Sequence, residues 1–115
     1  MCENFTVAET GMKWPSGDHV CIAQLVISPD RLSHILGVEL TEGNEAGMGC
    51  WVGTAIVLSG KGPLEFVLYE GDSNGFLVRA DRKANHTELL DNMLLVLKID
   101  KNSLSWISEL IDTQQ

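Results

Sequence analysis

The stretch "GMGCW", Gly47 to Trp51, is where the sequence first offers chemistry. A cysteine acts as a nucleophile only as its thiolate, which a cationic neighbour, a base or a helix N-terminus stabilises. None of these stands near Cys50 in the chain. Glu39, Glu42 and Glu45 precede it, the wrong electrostatic setting for a second negative charge. The "WVGTAIVLS" that follows is apolar and β-branched, which favours a strand over a helix. Cys50 therefore reads as a small hydrophobe in a buried strand.

Other candidate chemistries are weaker still. Gly49, Cys50 and Trp51 resemble the surroundings of the papain-type nucleophile, but that family's upstream residues are missing. Its histidine lies about 130–150 residues downstream, whereas this chain ends 65 residues after Cys50 and carries only His86 there. Gly47, Gly49 and Gly53 loosely match a dinucleotide-binding loop. Such loops follow a strand and open a helix, whereas these follow an acidic segment and open a strand. No paired Cys or His spacing marks a metal site among His19, His34, His86, Cys2, Cys21 and Cys50. "EGDSNG" (70–75) holds part of a calcium-loop spacing without its remaining acids, and reads as a hairpin turn. Glu65, Glu70, Asp81 and His86 are potential proton-transfer groups that the sequence does not pair, and read as solvated. No catalytic residue, metal or cofactor is assigned.

The elements that would position these residues are more legible. "NFTVAE" alternates like a short edge strand, and 11–18 reads as a turn region rich in Gly, Pro and Ser. "HVCIAQLVIS" reads as a buried strand. In "SPDRLSHILG", Ser28 is an N-cap, Pro29 opens a helix, and Asp30 complements its positive end. Gly37 supplies the left-handed stop. The segment 38–49, with three glutamates and no base, reads as a long loop. "CWVGTAIVLS", "LEFVLYE" and "FLVRAD", separated by "GKGP" and "GDSNG", form an antiparallel meander. Asn85, with Glu88 three residues on, opens a helix over about 86–98 with a stripe of Leu89, Leu90, Met93, Leu94 and Leu97. "SLSWISELI" suits either a strand or a helix, and a strand is preferred.

These elements predict one α+β domain over 1–115: a mostly antiparallel sheet of 4–5 strands, with two helices packed on one face. Sixteen acidic against eight basic residues give a formal charge of −8, which disfavours nucleic acid and anionic membrane. The longest apolar runs are too short to cross a bilayer. Three widely spaced cysteines and an N-terminus without a cationic, apolar leader point to the cytoplasm.

Two surface features remain. Glu39, Glu42, Glu45, Met48 and Trp51 form a candidate partner-binding surface, with Met and Trp anchors beside an acidic rim. Arg79, Arg82 and Lys83 form a basic patch that reads as paired with the protein's own acids. The first reading is a small acidic protein-binding module masking a basic protein partner. In size, charge and layout it resembles bacterial immunity proteins that inhibit nuclease toxins. The alternative is a ligand-binding domain or enzyme with a pocket between sheet and helices, lined by Trp51, Tyr69 and a histidine. A buried polar cluster in such a pocket distinguishes the two. Self-association through Trp14 or Trp106 is a third class.

Overall fold

The computed structural model describes residues 5–9, 11–47, 49–70 and 75–108, with the Glu45 side chain left aside. Helix α1 (Pro29–Leu36) forms where its signals stand. The Ser28 hydroxyl accepts the Arg31 N–H at 3.2 Å, and Gly37 ends the helix at φ 72°. Helix α2 (His86–Leu97) starts on Asn85, whose side chain accepts the Glu88 N–H at 3.1 Å. It ends on Lys98 in the left-handed conformation at φ 57°, a position where glycine is usual.

The described strands are β1 (Phe5–Ala8), β2 (His19–Leu25), β3 (Thr41–Glu45), β4 (Gly49–Leu58), β5 (Gly62–Tyr69), β6 (Phe76–Asp81) and β7 (Leu104–Ile107). They form one seven-stranded antiparallel sheet, ordered β1-β4-β5-β6-β2-β7 with β3 also on β4. The expected 4–5 strands are thus too few. The central meander β4–β5–β6 is as expected. Of the strands beyond that number, β3 stands where a loop was predicted, because "TEGNE" lacks the apolar alternation of a strand. Its backbone is held by pairing with Gly49–Gly53, while β1 pairs with Ala55–Leu58 along the same edge of β4. The last segment forms β7 after a 3₁₀ turn over Lys101–Ser103. The "GDSNG" turn and the end of the chain, 109–115, lie largely outside the described residues.

Residues directly opposed across a ladder share a face. Ile56, Leu64 and Ala80 form one such row, and Thr54, Phe66 and Val78 another. This face joins Leu32, Leu36, Leu89, Leu90, Met93 and Leu97 of the two helices in one apolar core. Period-two alternation sends Trp51, Glu65, Val67, Tyr69 and Arg79 to the other face. No described helix is long and apolar enough to cross a membrane.

Candidate functional site

Strand order sets up the site. β1 lies beyond β4 and β2 beyond β6, so the chain between them must travel across the sheet, about 19 Å at the usual ~4.8 Å spacing. The core face is occupied by the helices, and residues 11–18 instead strap the opposite face. Two carboxylates fasten this strap. Glu65 Oε2 accepts the Gly11 N–H at 2.9 Å, and Asp81 Oδ1 accepts the Ser16 N–H at 2.8 Å. At the strap's far end, Asp18 O accepts the Arg82 N–H at 3.0 Å.

Beneath the strap, Ala55, Glu65, Arg79 and Cys21 stand in one row across four strands. Opposite charges therefore face each other directly across β5 and β6. Arg79 Nη1 donates to Glu65 Oε1 at 3.1 Å and Nη2 to Tyr69 Oη at 3.1 Å, with 19% of the Arg79 and 6% of the Glu65 side chain exposed. The guanidinium carbon lies 5.9 Å from the centre of the Tyr69 ring. Burial opposes the charge on Arg79, but the hydrogen bonds to Tyr69 and Glu65 outweigh it and hold the guanidinium proton more tightly than usual. Arg79 Nε is buried and makes no hydrogen bond.

Between strap and sheet opens a cleft of about 410 Å³, lined by Met12, Trp14, His19, Trp51, Tyr69 and the Glu65–Arg79 pair among others. Trp14 and His19 hold their rings 5.4 Å apart at 33°. Trp51 is placed by its cross-strand partner Gly43, whose missing side chain leaves room for the indole. A Cβ on Gly43 would stand 2.5 Å from Trp51 Cε2. The cleft thus joins three aromatic walls to a buried charged floor, the composition of a ligand site.

The predicted surface is divided by the sheet. Glu42 opposes Val52 and Trp51 opposes Gly43, so the acid and the indole emerge on opposite faces. Glu39 and Glu42 instead meet Asp30 of α1 around a shallow depression of about 370 Å³. Glu45 has its backbone in β3, while its side chain and Met48 lie outside the described residues. Cys50 is exposed, correcting its assignment to a buried strand position. Burial rises along β4 only from Gly53, because the β3–β4 hairpin projects past the core. Asn44 Nδ2 lies 3.4 Å from Cys50 Sγ across this hairpin.

Two acids expected in solvent are buried, Glu65 and Asp81. The strap covers them, and their oxygens satisfy its backbone. His86, also buried, donates from Nε2 to Asp81 O at 2.8 Å, which ties the start of α2 to the end of β6. Of the basic patch, Arg79 pairs with Glu65, and Arg82 Nη1 pairs with Asp18 Oδ2 at 3.1 Å, both internally. The sequence did contain a signal for the missed pair: Glu65 and Arg79 carry opposite charges and sit nearly symmetrically about the turn predicted from "GDSNG". Among the described residues no group of three or more His, Cys, Asp or Glu side chains is arranged to hold a metal ion. No protein-family model, curated protein or solved structure matches this chain.

Proposed function

We propose that this domain binds a small ligand in the cleft between the strap and the sheet. The observation carrying this reading is the convergence of Trp14, Trp51 and Tyr69 around the buried Glu65–Arg79 pair. A protein needing only to close its sheet would cover this face with aliphatic side chains. Buried ions are costly to desolvate, and replacing such a pair with apolar residues is often neutral or stabilising. A concave aromatic site with a few oriented polar groups is the usual form of a small-molecule site. The pocket foreseen between sheet and helices is replaced in this reading by one on the opposite face, because strand order carries the β1–β2 connection there.

A fragment library screened against ¹⁵N-labelled protein tests this reading. The expected hits move the indole N–H signals of Trp14 and Trp51 and leave that of Trp106, on β7, in place. A library that never moves the first two removes the reading.

One observation favours a second reading, docking to a basic protein. Asp30, Glu39 and Glu42 surround one depression, and among the described residues no basic side chain lines it. A complementary surface of this kind speeds association and makes it salt-sensitive. Capture of one basic host protein by the wild type, lost in E39K/E42K and in high salt, is the outcome this reading requires. Equal capture by the variant would move the interface elsewhere.

A further inference from the structure

The ligand's chemical class follows from which polar groups of the cleft are already engaged, an inference that rests on the ligand-binding reading above. Glu65 is the one carboxylate lining the cleft among the described residues, and both of its oxygens already accept, from Arg79 and from Gly11. Arg79 carries five N–H donors and no acceptor. One hydrogen of Nη1 goes to Glu65 and one of Nη2 to Tyr69, while Nε is buried. The Cys21 side chain, opposite Arg79 on β2, is a further hydrogen-bond partner, so what Arg79 offers a ligand is the terminal N–H that these three partners leave. The floor donates.

Charge narrows the class further. A cation would meet the guanidinium, which already occupies the position near the Tyr69 ring that a cation would use. A carboxylate would meet an arginine already neutralised by Glu65, inside a protein of net charge −8. A neutral acceptor faces neither penalty. The flat indoles of Trp14 and Trp51 suit a flat partner, since aromatic rings prefer offset or edge-to-face packing.

We propose that the cleft takes a neutral, planar heteroaromatic ring, with its faces against the Trp14 and Trp51 indoles and a ring carbonyl accepting from the remaining Arg79 terminal N–H. A two-ring lactam has this shape and polarity.

Four bicyclic probes of similar size test the assignment on the unmodified protein: 2-quinolinone, naphthalene, 2-naphthoate and N-methylquinolinium. The readout is titration of the Trp14 and Trp51 indole N–H signals, with Trp106 as internal reference. The expected result is that 2-quinolinone binds at least about tenfold more tightly than each of the other three, the minimum expected from one hydrogen bond to a charged donor. Equal affinity for 2-quinolinone and naphthalene, or tighter binding of the cation or the carboxylate, overturns the neutral-acceptor assignment while leaving the ligand cleft intact. If no probe moves either indole at millimolar concentration, the ligand-binding reading itself falls, and this assignment falls with it.

Discussion

The backbone N–H of Gly11 donates to Glu65 Oε2 at 2.9 Å, joining residues 54 apart in sequence. The other oxygen of that carboxylate accepts from Arg79, so one buried side chain holds the strap down and fixes the floor of the cleft. Shape and chemistry at this site are therefore coupled. Any change at Glu65 is expected to alter both.

Glu65→Leu should destabilise the fold by about 3–5 kcal/mol, because it leaves the Arg79 charge buried without its partner. Arg79→Leu should cost a similar amount, by stranding Glu65. The double variant Glu65→Leu with Arg79→Leu should lose much less than the sum of the two, since neither charge remains. Urea unfolding of the four proteins measures this. Simple additivity would mean that the pair is not coupled as its geometry requires.

Acid should loosen the strap through Asp81. The Ser16 N–H holds this carboxyl below its ordinary value of 3.8, against the opposing cost of desolvation and with help from the Lys83 N–H. A carboxylate whose folded pKa is depressed contributes stability above its unfolded pKa, and that contribution is lost as pH falls through the folded value. The window thus opens near pH 4 and extends below it. The protection of the Ser16 and Lys83 amides, taken as exchange relative to the intrinsic rate at each pH and followed downward from pH 5, should fall within this window in wild type. In Asp81→Asn, protection should already be low at pH 5 and change little further as the pH falls. Identical profiles in the two proteins would show that Asp81 does not fasten the strap.

Two glycines on the β3–β4–β5 ladder should respond very differently to alanine. At Gly43 the new methyl first meets the Trp51 side chain, which can swing aside at the cost of its place in the cleft. At Gly53 it meets the Phe66 backbone carbonyl oxygen and stands 3.3 Å from Val67 Cα, so β5 itself must move. Gly43→Ala should keep the fold, shift tryptophan emission and weaken cleft binding. Gly53→Ala should exceed the roughly 1–3 kcal/mol of ordinary overpacking. Thermal unfolding and fluorescence of both variants would separate the outcomes, and equal destabilisation would contradict the ladder geometry.

Local physics made the helices and the meander legible. Ser28, Pro29, Gly37 and Asn85 act through hydrogen bonds and dihedral preferences within a few residues, so their identities determine the helix ends. Alternation along Leu64–Tyr69 and Phe76–Asp81 likewise marks strands. β3 was not legible, because Thr41–Glu45 extends only through pairing with β4, and strand propensity depends on the partner. For the same reason alternation assigned Glu65 to the less apolar face but did not show what covers that face. Coverage depends on β1 and β2 lying on opposite sides of the central meander, a matter of strand order. That order buried Glu65 and Asp81 and gathered Trp14, Trp51, Tyr69 and Arg79 around one cleft, while the register of β3 on β4 separated Trp51 from Glu42. Sequence determined the elements and the side chains they present. The path of one connection across the sheet determined which of those side chains meet, because long-range contacts follow from topology and not from spacing along the chain.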